Sequence, residues 1–163
     1  MNGLIVYHGA TQIVDKPLCS IGRKNLDFGQ GFYVTDIRSQ AVSWAQNIAI
    51  KRGETPIINV YNLNKDEILS NFKVKIFKSY DAEWLDFIVA NRTGMNAAVG
   101  IDYVEGGVAN DRIIDTINLY ISGLMDYDVA LKRLAEHQPN NQICILNQSI
   151  INNYLTYNGT ETI

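Results

Sequence analysis

The chain has 163 residues, 47% of them apolar, which is enough for one buried core and short for two domains. Its net charge of −3 comes with no run of Lys or Arg, which argues against a partner gripped through its phosphate backbone. The apolar run in MNGLIVYHGAT is too short for a membrane span or secretory segment and has no basic start, so no membrane role is expected.

In chain order, Leu4 to His8 alternates as a first strand, and Phe32 to Thr35 follows a glycine loop as a second. Cys19 lies in the irregular stretch between them. It and Cys144 have no metal-ligand spacing, so two buried thiols in a cytoplasmic protein without a metal are expected, a secreted effector being the alternative. From Ser39 to Lys51, Ala41, Trp44, Ala45, Ile48 and Ala49 recur at helical spacing, and Gly53 supplies the stop. IINVYNL after Pro56 reads as a strand, and FKVKIF (Phe72 to Phe77) as a half-exposed one. Ser79 or Asp81 can cap a helix carrying Trp84, Leu85, Ile88 and Val89, with Gly94 just past its end. AAVGIDYVEGG is a short strand and turn. Asn110 to Tyr120 and Tyr127 to His137 form a helix pair punctuated by Gly123 and Pro139. Gln142 to Leu146 is a compact apolar strand, Ile150 to Tyr157 a final helix, and the tail NGTETI, from about residue 158, is expected to fray. The fold class is α+β, in one domain spanning 1–163.

The stretch DFGQGFYVTD, Asp27 to Asp36, holds the main functional signal. It is not the metal-binding aspartate motif of a protein kinase, because neither a glycine-rich loop nor a lysine-bearing strand precedes it. Nor is it a dinucleotide fingerprint, because the third glycine is missing and a strand follows where a helix is required. Gly29 and Gly31 remove Cβ atoms where the backbone turns sharply or lets another group approach, and the strand then sends Phe32 and Tyr33 to opposite faces. In the plainest reading both aromatics enter the core. A nucleophile elbow, GxSxG, is absent, and nothing in the sequence places either cysteine beside His8.

VYHGAT (Val6 to Thr11) and FGQGFYVTDIRSQAVSWA (Phe28 to Ala45) together resemble the two leading motifs of the ADP-ribosyltransferase superfamily, in its poly(ADP-ribose) polymerase and diphtheria-toxin branch. The whole chain also resembles a group of bacterial domains of unknown function that share YHG, DFGxGFY, EWLDF, VAND and NNQI. The first resemblance implies two facing, mostly antiparallel sheets forming an NAD cleft flanked by helices. It implies that His8 holds a ribose hydroxyl, that the backbone of Gly9 grips the nicotinamide amide, and that Tyr33 stacks on the nicotinamide ring, with Gly31 and Phe32 beside it and Trp44 as the second aromatic. NAD would be a substrate, and no metal is implied.

Active members of that branch place a glutamate near the start of a later strand. Here the matching pattern, NNQICIL, puts Gln142 there, so the triad is His8, Tyr33 and Gln142. Glutamine accepts a hydrogen bond but brings no charge, and electrostatic stabilisation in a dry site is worth about 3 kcal/mol or more. Glu83, Asp86 and Asp111 are auxiliary acid candidates, each equally readable as a solvated or helix-start charge. Arg23 and Arg92 are candidates for a pyrophosphate, each equally readable as a surface residue. The implied activity is mono-ADP-ribosyl transfer to an acceptor or to water. A protein acceptor is favoured over nucleic acid, and a toxin-like setting would add an antitoxin or regulatory partner. The alternative is a catalytically degenerate module that binds NAD, ADP-ribose or a protein. RNA 2'-phosphotransfer, known in the same superfamily, would want a basic groove that the acidic composition does not offer.

Overall fold

The computed structural model of the chain describes residues 3–163; Met1 and Asn2 lie outside the described residues. The element order is β1 (Leu4–Ala10), a 3-10 turn (Cys19–Ile21), β2 (Phe32–Val34), α1 (Arg38–Arg52), β3 (Ile57–Leu63), α2 (Lys65–Asn71), β4 (Val74–Ile76), α3 (Ala82–Arg92), β5 (Tyr103–Gly106), α4 (Asp111–Ile121), α5 (Tyr127–Leu134), β6 (Gln142–Ile145), α6 (Gln148–Tyr154) and β7 (Leu155–Thr162). The class is α+β with two sheets. One runs β1-β3-β7 and is antiparallel throughout; the other runs β2-β6-β5-β4 and is antiparallel except for the β4/β5 pair at its edge.

Alternation along the strands sorts the core into layers. Val6, Tyr61 and Leu63 of the first sheet share one cluster with Phe32, Val34, Tyr103, Ile143 and Ile145 of the second, so the two sheets face each other. The opposite face of the second sheet carries Val104 and Cys144 and is covered by Trp84, Leu85 and Ile88 of α3, Ile113 and Ile117 of α4, and Leu134 of α5. On the outer face of the first sheet, Ala41 and Ala45 of α1 pack against Ile58.

Local chemistry sets the helix ends. Gly53, left-handed at φ 64°, closes α1 by donating to Ala49 O. The Asp81 carboxylate accepts from Trp84 N at 3.0 Å, and Asn110 accepts from Ile113 N at 3.3 Å, so these residues cap α3 and α4. Among the described residues no helix is long and apolar enough to cross a membrane. Cys19 and Cys144 are both buried free thiols.

One element is unforeseen and four expectations change. The segment Lys65–Asn71 forms α2, anchored in the core by Ile68. The half-exposed strand shrinks to Val74–Ile76, since only that stretch has β5 beside it. The second helix of the pair stops at Leu134, short of His137. The last helix ends at Tyr154, and the tail expected to fray is β7, paired along β3 from Leu155 to Thr162. Asn158-Gly159 reads as a turn signal but serves a register shift between Val60 and Tyr61, with Gly159 at φ 112°. Tyr157 packs edge-on to Tyr61 at 5.7 Å and holds the strand down.

Deleting residues 158–163 removes the partners of Ile57, Ile58, Asn59 and Val60. Denaturant unfolding should then show a loss of about 2–4 kcal/mol against the full chain. A frayed tail predicts no change.

Candidate functional site

The glycine loop leads into β2 through contacts that fix its shape. Gly29 has φ 102°, a conformation costly for any residue with a side chain. A Cβ on Gly31 would stand 2.5 Å from Ile145 O and 2.6 Å from Cys144 Sγ, so this glycine lets the loop lie directly on β6. The Tyr33 hydroxyl turns back to donate to Gly29 O at 2.6 Å and to accept from Phe28 N at 3.1 Å. Burial, reinforced by the neighbouring Cys144, pushes the phenol pKa far above its ordinary value, so it stays neutral. Phe32 takes the opposite face, edge-on to Tyr61 at 5.6 Å.

His8 and Tyr33 are neighbours, but they meet through main chain. His8 Nδ1 donates to Tyr33 O at 2.7 Å, and its ring lies 4.6 Å from that of Phe32, on the face of β2 away from the phenol. The carbonyl can only accept, so Nδ1 carries the proton and Nε2 is left with its lone pair, ready to accept from a hydroxyl.

One main-chain bridge links the two sheets: Tyr7 N donates to Thr35 O at 2.8 Å and Thr35 N donates to Tyr7 O at 3.0 Å. In an antiparallel ladder every second residue points its N–H and C=O the same way. Gly9 therefore aims both groups at β2, as Tyr7 does. There the ladder has ended: Tyr33 O accepts from His8, and neither Gly9 group has a partner in β2 among the described residues. A Cβ on Gly9 would lie 2.2 Å from Ala41 O and 2.9 Å from Ala45 N, so only glycine lets α1 close over this edge.

The residues of α1 that flank those alanines line a cavity of about 510 Å³, in the size range of ligand pockets. Trp44, Gln40 and Asn47 form one wall, and Asn110, Asp111 and Asn140 the other. Gln40 Nε2 donates to Asn141 O at 2.6 Å, while its Oε1 is buried without a hydrogen-bond partner among the described residues. Leaving a buried acceptor unpaired costs about 1–3 kcal/mol, so Gln40 Oε1 gains from any donor that reaches it. Thr11 Oγ1, two residues beyond Gly9, is buried and unpaired as well. Sequence reasoning did not single out Gln40, which reads as one polar residue on the outer face of a helix.

Gln142, 5% exposed, opens β6 directly after Asn140 and Asn141 and shares a sheet face with Cys144 and Tyr33. Asp111 is the carboxylate in the cavity wall, where it follows the Asn110 cap at the start of α4. The other auxiliary candidates lie elsewhere. Glu83 pairs with Lys75, and Asp86 accepts from Tyr127 Oη at 3.1 Å. Arg92 pairs with Asp27 at 2.6 Å and lines, together with Arg23, a second cavity. Gly31 and Phe32 are packed in the interior.

A further carboxylate, Glu105, carries no sequence signal. It is 8% exposed and accepts from Tyr103 Oη at 2.6 Å and Asn141 Nδ2 at 3.1 Å, with Lys65 Nζ 2.9 Å away. Its charge is thus spent on the protein's own groups. Among the described residues no cluster of His, Cys, Asp or Glu is arranged to hold a metal.

A family model described as a protein of unknown function (DUF3990) matches residues 4–157. No curated protein and no solved structure matches the chain.

Burial lowers the His8 pKa below 6.5, and the hydrogen bond to Tyr33 O opposes this only in part. The unfolded chain therefore binds a proton at residue 8 at higher pH than the folded one does, and stability falls as the pH drops from 6.5 toward the folded pKa. The stability difference between wild type and His8→Gln, from urea unfolding at a series of pH values, should shrink as the pH falls through this window. A difference constant with pH would contradict the assignment.

Proposed function

The chain belongs to the DUF3990 family, and we propose that it binds NAD through the nicotinamide carboxamide and transfers ADP-ribose to an acceptor or to water. The observation that carries this reading is the main-chain edge at Gly9, whose N–H and C=O have no partner in β2. A primary carboxamide offers one N–H donor face and one C=O acceptor, the complement of a backbone N–H and C=O presented by a single residue. Gln40 Oε1, close by on α1, is suited to take the second amide hydrogen. The Trp44 indole supplies a flat surface for the pyridinium, worth about 1–3 kcal/mol, and His8 Nε2 an acceptor for a ribose hydroxyl. The resemblance of VYHGAT and FGQGFYVTD to the ADP-ribosyltransferase motifs, and a fold of two facing sheets, favour the same reading.

The reaction breaks the bond between the ribose anomeric carbon and the pyridinium nitrogen, with the electron pair leaving on neutral nicotinamide. The acceptor nucleophile then attacks that carbon and gives up its proton. In this reading Gln142 orients a hydroxyl, Asp111 takes the proton and offsets the positive charge developing on the ribose, and Tyr33 acts as a positioning residue through its carbonyl on His8 and its hydroxyl on the loop.

A second reading, binding without turnover, is favoured by one feature. The residue that opens β6 is neutral, and the nearest buried carboxylate, Glu105, is engaged by Lys65 and Tyr103.

Calorimetry with NAD and with its nicotinic acid analogue separates the carboxamide claim from general nucleotide affinity. The analogue replaces an amide N–H donor with a carboxylate that repels the Gly9 carbonyl, so NAD should bind at least about tenfold tighter. Nicotinamide release in the presence of lysate acceptors, abolished in Asp111→Asn while NAD still binds, supports the enzyme. Binding without release supports the second reading. No binding of NAD at millimolar concentration overturns both.

A further inference from the structure

On the far side of the molecule from the first sheet, a cavity of about 520 Å³ lies between the loop that ends at Asp27 and the carboxyl ends of α3 and α4. Arg23, Lys24 and Arg92 line it with a single carboxylate, Asp27, for a local formal charge of 3 − 1 = +2 on a chain whose net charge is −3. We propose that this pocket binds a phosphate-bearing small molecule of the pyrophosphate or nucleotide class.

The geometry goes beyond a chance grouping of surface cations. Arg92 donates from Nε to Asp27 Oδ1 at 2.6 Å, which fixes the plane of its guanidinium. Its two terminal nitrogens have no partner among the described residues, and such a planar fork matches two phosphate oxygens. Arg23 and Lys24, both exposed, form no ion pair among the described residues. The loop is held in place from below. Asn91, 2% exposed, donates from Nδ2 to Asp27 O at 2.8 Å and accepts from Ala97 N at 2.8 Å, so neighbouring residues on α3 grip the main chain and side chain of Asp27. Asn25, left-handed at φ 62°, turns the chain above it. A cationic pocket held ready in this way binds an anion with little loss of loop freedom. The alternative role, neutralising the carbonyl ends of α3 and α4, needs about half a charge per helix end and leaves a positive surplus.

The phosphate has two sources. Asp111 and Ile114 of α4 line the Trp44 cavity, while Asn118 and Ile121 line this one. Spacings of three, seven and ten put all four on one helical face, and the cavities lie about 10 Å apart along it. The phosphates of a dinucleotide held at Trp44 can lie along that face. A separate phosphorylated molecule can also occupy the pocket alone. The first source rests on the proposed NAD reading and the second does not.

Calorimetric titration of the full chain with inorganic pyrophosphate tests the site itself. Wild type should bind with an affinity that falls with salt, Arg23→Glu/Lys24→Glu should bind at least about tenfold more weakly, and Trp44→Ala should bind as wild type does. Unfolding transitions of the variants are compared with wild type, and the milder Arg23→Gln, expected to weaken binding in the same direction, replaces the double variant if it unfolds. A parallel NAD titration identifies the source: weaker NAD binding in the charge-reversed variant assigns the dinucleotide, and unchanged NAD binding assigns a separate molecule. No pyrophosphate binding to wild type at millimolar concentration, or binding to the folded charge variants as tight as to wild type, overturns the proposal. If NAD fails to bind while pyrophosphate binds and the charge variants weaken it, the NAD reading falls and this pocket stands.

Discussion

The bridge between Tyr7 and Thr35 is the contact on which the arrangement depends, because the β1/β2 ladder goes no further. A second rung would pair Gly9 with β2 and seal the edge. His8 instead places its own ring nitrogen on the Tyr33 carbonyl that the rung would use. That side-chain hydrogen bond adds to the main-chain bridge between the sheets, and the Gly9 N–H and C=O are left without a partner in β2. The same bond selects the Nδ1-protonated tautomer and leaves Nε2 with its lone pair.

Buried polar groups around the bridge hold the neighbouring elements in register. The carbonyl of Asn141 accepts from Thr35 Oγ1 at 2.7 Å and from Gln40 Nε2 at 2.6 Å, which ties β2 and α1 to the entry of β6. The Asn141 amide reaches Asp36 at 2.9 Å and Glu105 at 3.1 Å, and Glu105 in turn meets Lys65 and Tyr103. A network of this kind is costly when incomplete and rigid when satisfied. Within this network Gln40 Oε1 is the buried side-chain atom left without a partner among the described residues.

Much of the fold was legible because periodicity and punctuation act locally. The α1 stripe of Ala41, Ala45 and Ala49 and its Gly53 stop are read from spacing alone, and the α3 cap is narrowed by residue type to Ser79 or Asp81, of which Asp81 serves. The strand character of the tail was not legible, because Asn158-Gly159 is a turn signal whose use as a bulge depends on β3 lying alongside. The β2 alternation correctly separates Phe32 from Tyr33, but which face meets the other sheet depends on partners more than 100 residues away, as with Cys144 opposite Tyr33. Glu105 and Gln40 escaped notice for the same reason. Their partners Lys65 and Asn141 come from separate segments, and no local pattern marks a polar residue that the fold will bury.

The central claim is that the edge at Gly9 is open to receive a carboxamide. Electron density from crystals soaked with NAD tests it most directly. The account predicts the carboxamide in register with the Gly9 N–H and C=O, its amide on Gln40 Oε1 and the pyridinium against Trp44. A ladder closed between Gly9 and β2, or a nicotinamide seated away from Gly9 with Gln40 still unpaired, would contradict it.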